Sequence, residues 1–217
     1  MSEQKGEHKI HKCPTEGENY ENPQIIFLSK ETADEIRKVV KLNKNSVIFD
    51  FGAGTGLIGL NFISEVKHVI FEDISSVMLD YLQYKCDTQG IKNYTIFKGI
   101  MEDYKNEEKV NLITACMVLH HVEDLQSLFK KFLEILKPGG YLCITDLMKD
   151  APMFHIGSHN HKHKMPHIGF EPEKLCEEIK KAGFISTDIR KVSSIIFKGS
   201  DGKDIISERF MIVAKRN

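Results

Sequence analysis

The chain has 217 residues, of which 41% are hydrophobic and 28% charged, and its formal net charge is −1. These values are ordinary for a single globular domain, and the small net charge argues against a nucleic-acid binder held by bulk charge. No apolar run approaches the ~20 residues of a membrane span, and the polar N-terminus lacks the apolar stretch of a secretory signal. The five cysteines are odd in number and form no C-x-x-C pair, which indicates reduced thiols in a cytoplasmic protein. The charge and the missing apolar span predict that it has neither nucleic-acid nor membrane partners.

The predicted elements alternate between helix and strand over most of the chain. Residues 1–22 are polar and are predicted to be a flexible tail before a single domain over 23–217. A helical apolar period runs from Pro23 to near Leu42, and the apolar run to Phe51 is typical of a buried parallel strand. Further helices are predicted at about 56–65, 75–90, 123–140 and 171–184, and further strands at 67–73, 94–99, 109–115 and 141–147.

Two last strands, within 186–197 and 203–216, have no helix between them and are expected to form an antiparallel hairpin at one edge of the sheet. Alternating strands and helices imply right-handed parallel crossovers. The sequence therefore predicts an α/β fold with a doubly wound, seven-stranded Rossmann-like sheet, mostly parallel with an antiparallel C-terminal edge.

A glycine loop follows the first predicted strand. The strand ends at Asp50 and Phe51, and the loop reads Gly52-Ala53-Gly54-Thr55-Gly56. Glycine lets backbone approach a ligand closely, and ligands of open α/β sheets lie beyond the carboxyl ends of the strands. Because Leu57 follows the third glycine, the pattern departs from the G-x-G-x-x-G of dinucleotide sites. An acid at position 50 would also repel phosphate and attract an ammonium group.

This region resembles the class I S-adenosylmethionine-dependent methyltransferases, and within them the ubiquinone/menaquinone-methyltransferase-like branch that acts on small molecules. The family's first two motifs are matched by "DFGAGTG" and "FEDISSVML". Its fourth- and fifth-strand regions are similar to "NLITACMVLHHVED" and "LKPGGYLCITD". The resemblance covers residues 46–147 and implies S-adenosylmethionine as cofactor. It further implies a small-molecule methyl acceptor as partner, methylated by in-line displacement, in a monomer or homodimer.

The resemblance also implies a set of cofactor-binding residues. Asp73 stands where the family binds the ribose hydroxyls, although it could instead cap the helix that follows. Ile74 is expected beside the adenine and Asp50 near the amino group. Family members often carry Asp where Ile100 stands, so adenine recognition is assigned to Met101 or Glu102. The remaining expected contacts are Gly52, Ala53, Gly54, Thr55, Gly56, Met78, Cys116 and Tyr20, the last either near the methionine carboxylate or an ordinary linker tyrosine.

Histidines supply the candidates for the catalytic base. The segment "FHIGSHNHKHKMPHIGF" resembles a bacterial and fungal subgroup with Phe-His after the fifth strand and His-x-Gly-Phe before the next helix. His155 and His167 match these positions, and the insert at about 150–170 is predicted to be a lid over the methyl-transfer site. His120 is the third candidate, and its alternative role is to cap the next helix and line the cofactor pocket.

His159, His161 and His163 match nothing in that subgroup and are predicted to face solvent. A transition-metal site is the alternative for them, since His side chains are common metal ligands. Two other functions remain open: an S-adenosylmethionine-binding regulatory protein without transfer activity, and a metal-binding module that uses the insert. A nicotinamide dehydrogenase is disfavoured by Leu57.

Overall fold

The computed structural model describes residues 20–105, 108–149, 166–198 and 201–217. Within these ranges the helices are α1 (Pro23–Val39), α2 (Leu57–Leu60), α3 (Ser76–Thr88), α4 (Leu125–Ile135) and α5 (Pro172–Ala182). The strands are β1 (Val47–Phe51), β2 (His68–Asp73), β3 (Tyr94–Lys98), β4 (Val110–Cys116), β5 (Leu136–Leu147), β6 (Ser186–Lys191), β7 (Ile195–Lys198), β8 (Asp204–Ser207) and β9 (Arg209–Lys215). None of the helices in these ranges has the length and apolar character needed to cross a bilayer.

Seven strands form one sheet in the order β3-β2-β1-β4-β5-β9-β6. Strands β1 to β5 pair in parallel, and β9 is antiparallel to both of its neighbours, β5 and β6. The predicted fold class, a mostly parallel doubly wound sheet with an antiparallel edge, is confirmed. The order reverses between β1 and β4, so the carboxyl ends of these strands border the crevice where open α/β sheets bind ligands.

Helices cover both faces of the sheet, which is why β1 is buried along its whole length. Successive side chains of a strand point to opposite faces. Val47, Phe49 and Phe51 accordingly pack into one hydrophobic layer, with residues of α4 and α5, and Ile48 packs into the other, with residues of α1 and α3. The ring of Phe51 meets that of Phe132 edge-on at 5.1 Å.

The C-terminal region differs from its prediction in detail. Each of the two predicted strands is divided in two, and the inner halves, β7 and β8, pair with each other in a separate two-stranded sheet. The chain leaves the main sheet after β6 because Glu31 of α1 accepts hydrogen bonds from the backbone N–H and the hydroxyl of Ser193, at 2.9 and 2.6 Å. Arg209 donates to the carbonyl of the same serine at 2.8 Å.

Helix α4 ends at Ile135, directly before β5 begins, rather than near residue 140 as predicted, and two other helix lengths also differ. The helix predicted over 56–65 is only the single turn α2, followed by four-residue turns such as the one closed by the bond from Glu65 N–H to Phe62 O. Asn61 explains part of this, because its side-chain amide donates to the carbonyl of Leu57 at 2.7 Å and competes with the helical bonds. At the other helix, α1 ends at Val39 rather than Leu42, since Val40 is already extended.

The start of α1 is fixed beside the crevice. Asn22 caps the helix, with its side-chain oxygen accepting from two backbone N–H groups at 3.0 Å. Glu21 forms an ion pair with Lys85 of α3, and both side chains are largely buried. The last residues of the predicted tail are therefore attached to the helix that follows β2, while residues 1–19 lie outside the described ranges.

Candidate cofactor and methyl-transfer site

Three consecutive N–H groups of the glycine loop are bonded to the end of β2. The N–H of Gly52 donates to the Glu72 carboxyl group at 3.0 Å, and that of Ala53 to the Glu72 carbonyl at 2.7 Å. The N–H of Gly54 donates to the Asp73 carboxylate at 2.7 Å. A phosphate-binding loop needs such groups aimed at the ligand. The loop therefore offers no cradle for a pyrophosphate, which argues physically against a dinucleotide.

The three glycines serve different purposes. All have positive φ. A Cβ on Gly52 would lie 2.2 Å from Cγ2 of Val118, and one on Gly56 would lie 2.4 Å from Cδ1 of Leu82, so these two are required by packing. A Cβ on Gly54 would meet nothing within 4 Å. The middle of the loop thus presents bare backbone to open space, as a loop that contacts a ligand must.

Asp50 supports the loop from beneath. It is buried, and its two oxygens accept from the hydroxyl of Thr114 at 2.6 Å and from the N–H of Gly59 at 2.9 Å. Burial raises the pKa of Asp50 to about 6, against the lowering effect of these hydrogen bonds. In this geometry Asp50 holds β1, β4 and the short helix α2 together, and both of its oxygens are engaged within the protein.

Glu72 is an acid of the site that was not predicted from the sequence. It is 2% exposed, and burial raises its pKa to about 8, with further contributions from the charges of Asp73, Asp50 and Glu102. The sequence does show an acidic residue inside a buried strand, directly before Asp73. Such residues are rarely buried without a partner, so this position could have indicated a role for Glu72. Four acidic groups around one loop disfavour an anionic ligand and favour a cationic one.

Asp73 is oriented by backbone from two sides. One oxygen accepts from Gly54 as described, and the other accepts from the N–H of Ser75 at 2.8 Å. The capping role for this helix belongs to Ser75, whose hydroxyl accepts from the N–H of Met78 at 3.4 Å. A carboxylate can accept more hydrogen bonds than these two, so Asp73 is still able to accept from ligand hydroxyls.

Exposed apolar side chains follow β2 and β3. Ile74 is 70% exposed and Ile100 is 50% exposed. Met101 beside it is buried and Glu102 is exposed, both in a short 3₁₀ turn over Met101–Asp103. Apolar side chains on two neighbouring loops can hold a flat ring between them, as ligand sites lined by apolar groups do.

Tyr20 and Cys116 lie near each other at the mouth of the crevice. Although Tyr20 as a whole is 40% exposed, burial of its hydroxyl raises the pKa of that group to about 12, and the acidic groups of Cys116 and Asp73 add to the rise. Burial likewise raises the pKa of the Cys116 thiol to about 12. Tyr20, from before α1, is thus brought beside Asp73 and the end of β4, which are distant in the sequence.

A His–Asp pair lies at the ends of β4 and β5. Nδ1 of His120 is 2.7 Å from Oδ1 of Asp146, and both side chains are buried. Met117, between Cys116 and this pair, has φ of 55°, in the left-handed region that few side chains adopt. His120 was predicted from the sequence, but Asp146 was not. The sequence shows an acid at the end of "YLCITD". Its pairing with His120 could not be predicted, because it requires β4 and β5 to be neighbours in the sheet.

His167 packs against the same turn. Its Nε2–H donates to the carbonyl of Val122 at 3.0 Å, and its backbone N–H donates to the carbonyl of His120 at 3.3 Å. Its ring also lies 5.1 Å from that of Phe170. His155, His159, His161 and His163 lie outside the described residues. Among the residues that are described, no group of three or more His, Cys, Asp or Glu side chains is arranged to hold a metal ion.

Fold and site together indicate the kind of ligand that the crevice fits. The crevice lies at the carboxyl ends of a doubly wound sheet, its loop exposes bare backbone at Gly54, and its acids favour a cationic ligand with hydroxyls. The hydroxyl of Thr55 is buried in the loop without a hydrogen-bond partner among the described residues. S-adenosylmethionine carries a positive sulfonium, an ammonium and ribose hydroxyls but no phosphate, so the residues present fit it.

Comparisons with known proteins agree. Residues 48–140 match the family described as "Methyltransferase domain". An uncharacterized methyltransferase of Schizosaccharomyces pombe is 24% identical over 182 residues, which cover 78% of this chain and 64% of that protein. A ubiquinone/menaquinone biosynthesis C-methyltransferase of Vibrio vulnificus is 27% identical over 150 residues, which cover 66% of this chain and 56% of that protein. The chain thus spans less than two thirds of the length of either relative.

The fold has matching solved structures. A SAM-dependent methyltransferase from Aquifex aeolicus aligns with a TM-score of 0.65 at 19% identity, covering 95% of this chain and 100% of that chain. The family match over residues 48–140 and the aligned structures agree that the chain has the fold of S-adenosylmethionine-dependent methyltransferases. S-adenosylmethionine is the cofactor that these matches imply.

Proposed function

We propose that the protein transfers a methyl group from S-adenosylmethionine to a small-molecule acceptor by in-line displacement. The observation that carries the proposal is the glycine loop, whose amides are bonded to Glu72 and Asp73 while Gly54 faces open space. When bound, S-adenosylmethionine supplies an electrophilic methyl group on a positively charged sulfur. The fold then has to align an acceptor with that group, and alignment alone can supply much of the acceleration.

The proposed cofactor contacts are the residues named from the sequence, with Glu72 added. Asp73 accepts from the ribose hydroxyls, and the exposed side chains Ile74 and Ile100 flank the adenine. The loop residues 52–56 contact the cofactor through backbone, with Asp50 and Glu72 holding the loop in place. Met78, Met101, Glu102, Cys116 and Tyr20 complete the proposed set.

The methyl acceptor is proposed to bind over the ends of β4 and β5. Support comes from the name of the Vibrio relative, a C-methyltransferase of ubiquinone/menaquinone biosynthesis, which acts in the making of small molecules. The same reasoning favours the small-molecule branch, whereas the subgroup with the Phe-His insert is proposed from the sequence motif alone. The proposed setting is a cytoplasmic monomer or homodimer without nucleic-acid partners, consistent with the small net charge.

The insert is proposed to cover this acceptor region as part of the same domain. Its two flanks are joined there, because the Lys149 N–H donates to the Phe170 carbonyl at 2.7 Å and the Phe170 N–H to the Leu147 carbonyl at 2.9 Å. Gly169 permits this, since a Cβ there would lie 2.3 Å from the carbonyl oxygen of Met148. His155 and His167 remain the proposed insert residues that face the acceptor.

Calorimetric titration with S-adenosylmethionine, S-adenosylhomocysteine and NAD tests the proposal. We expect the first two to bind and NAD not to bind, because three successive amides of the loop are bonded to the end of β2 and are not available to a pyrophosphate. Binding of NAD without binding of S-adenosylmethionine would refute the proposed function. A screen of small metabolites with labelled S-adenosylmethionine then tests for transfer, and cofactor binding without transfer to any of them would favour the regulatory alternative.

A further inference from the structure

The buried pair of His120 and Asp146 is only partly satisfied by hydrogen bonds. The two side chains are 1% and 0% exposed. Oδ1 of Asp146 accepts from both the His120 ring and the Leu147 N–H, at 2.7 and 2.8 Å. Oδ2 of Asp146 is buried and has no hydrogen-bond partner among the described residues. The carboxylate therefore provides more acceptor capacity than its protein contacts in those ranges use.

A purely structural link between β5 and the turn after β4 would not need this arrangement. Leaving a buried acceptor unmatched destabilises the fold, and a charged group does so more than a neutral one. Such exceptions in folded proteins often mark catalytic groups. The left-handed Met117 lies three residues before His120, and strained backbone also concentrates at functional sites. Both features occur at the edge of the sheet where the acceptor is proposed to bind.

We infer that Asp146 orients His120 as the general base, and that the acceptor is a protic nucleophile, a hydroxyl or an acidic C–H group. This inference rests on the proposed function and narrows its substrate class. An ionised carboxylate can only accept, so the His120 Nδ1–H donates to Asp146 and the ring keeps its lone pair at Nε2. The negative charge of Asp146 then stabilises the imidazolium that forms when Nε2 takes a proton.

The transfer forms two bonds and breaks two, and it moves one proton. The oxygen or carbon of the acceptor forms a bond to the methyl carbon, the bond between that carbon and sulfur breaks with its electron pair on sulfur, and the acceptor proton passes to Nε2 of His120. An amine needs no such base at the moment of attack, because it reacts through a free lone pair. A carboxylate-paired histidine is therefore useful for oxygen and carbon acids in particular.

His167 is less suited to this role. Its Nε2–H is held by the carbonyl of Val122, a neutral group that does little to stabilise an imidazolium. The described structure thus gives His120, and not His167, the environment of a base.

Two variants separate a base from a structural link. His120→Asn places an amide N–H near the position of Nδ1, so the bond to Asp146 is kept while the proton acceptor at Nε2 is lost. Asp146→Asn keeps an oxygen for the His120 N–H but removes the charge. Asp124→Asn is the matched control, because Asp124 is an exposed cap of α4 that accepts from the Ser127 N–H at 3.0 Å. The three variants and the wild type are assayed on phenols, quinols and 1,3-dicarbonyl compounds, and on primary amines.

We expect the wild type to turn over the oxygen and carbon acids. The turnover rate should fall by roughly 10²–10⁴-fold in His120→Asn and in Asp146→Asn, and it should be unchanged in the control Asp124→Asn. Cofactor affinity should stay within about twofold. On a nitrophenol that is already ionised, the loss should shrink to below about tenfold, because no base is then needed. Equal losses on ionised and un-ionised phenols, or turnover confined to amines, would overturn the inference while leaving the proposed function standing. Failure of the wild type to bind S-adenosylmethionine would instead overturn the proposed function.

A second measurement needs no acceptor. Long-range ¹⁵N spectra of histidine-labelled protein report which ring nitrogen carries the proton, and His120→Asn assigns the signal. We expect the Nδ1–H form of His120 in the wild type and its loss or weakening in Asp146→Asn. If the wild type methylates neither the oxygen and carbon acids nor the amines, this spectrum decides. A wild-type His120 ring protonated at Nε2 contradicts the inference, and the Nδ1–H form supports it.

Discussion

Glu72 places an ionisable carboxyl group in the packed layer below the glycine loop, where its charge is costly. Its pKa is raised from 4.5 to about 8, chiefly by burial. The folded state therefore holds the proton more tightly than the unfolded state. The stability contributed by the protonated group is complete below about pH 4.5 and is lost as the pH rises through about 8.

Glu72→Gln should remove this pH dependence while keeping an oxygen for the Gly52 N–H. Relative to the wild type, the variant should gain free energy of unfolding between pH 5.5 and pH 8.5, by on the order of 1–4 kcal/mol. Urea unfolding at the two pH values measures it. A difference between variant and wild type that does not change with pH would show that Glu72 has an ordinary pKa in the fold.

Asp73 is the residue on which cofactor affinity should depend most. Asp73→Ala removes the proposed ribose acceptor and the bond to the Gly54 N–H, so binding of S-adenosylmethionine should weaken by roughly 1–3 kcal/mol. Calorimetry measures the change. Asp80→Ala is the control, since Asp80 is exposed on α3, the helix that follows Asp73. Equal affinities of wild type and Asp73→Ala would move the ribose contact to another residue.

The glycine loop, taken as an element, should show which of its positions serve packing and which serve the ligand. Gly54→Ala puts a methyl group into open space, so the main cost to folding is the left-handed φ of 54°, about 1–2 kcal/mol. The same methyl group should obstruct the cofactor and weaken its binding by tenfold or more, about 1.4 kcal/mol.

Gly90→Ala is the matched control for the loop. Gly90 follows α3 with φ of 68°, and a Cβ there would also meet nothing within 4 Å, so the conformational cost is similar. Its stability loss should equal that of Gly54→Ala, with unchanged cofactor affinity. Gly52→Ala should instead destabilise the fold more than either, because its Cβ would overlap Val118. Equal cofactor affinities for Gly54→Ala and Gly90→Ala would remove the loop from the binding site.

Elements with strong periodicity were predictable, and those shaped by distant side chains were not. The strands β1, β2 and β4 are short apolar runs buried by helices on both faces, and α4 and α5 have a clear helical period, so local pattern sufficed. The break between β6 and β7 depends on Glu31, which is 162 residues from Ser193 in the sequence. The same holds for the residues of the site. Asp73 could be predicted from a sequence motif, whereas the pairing of His120 with Asp146 could not, because it depends on two strands being neighbours in the sheet.

At the scale of the whole molecule, one buried ion pair connects the first described helix to the C-terminal strands. Arg209 donates to Glu31 at 3.2 Å, and their side chains are 2% and 24% exposed. Removing one partner leaves the other charge buried and unpaired. Glu31→Ala should therefore lower the free energy of unfolding by about 3–5 kcal/mol.

Asp34→Ala on the same helix is the control for that substitution. Asp34 pairs with Arg37 at the surface, and its side chain is 52% exposed, so its loss should cost no more than about 1 kcal/mol. Chemical denaturation of both variants tests the comparison. Equal small losses would mean that α1 is held by its apolar face alone.

The position of β9 governs the order in which the sheet can be completed. β6 emerges from the ribosome before β9, yet within the sheet its hydrogen-bonding neighbour is β9, which separates it from β5. Until Arg209–Lys215 have been synthesised, β5 keeps an unpaired edge and β6 has no strand to join. Unpaired strand edges promote association between nascent chains. The fold thus keeps its most exposed intermediate until β9 has been synthesised, because α5 and β6 must wait for these seven residues to insert between them and the rest of the sheet.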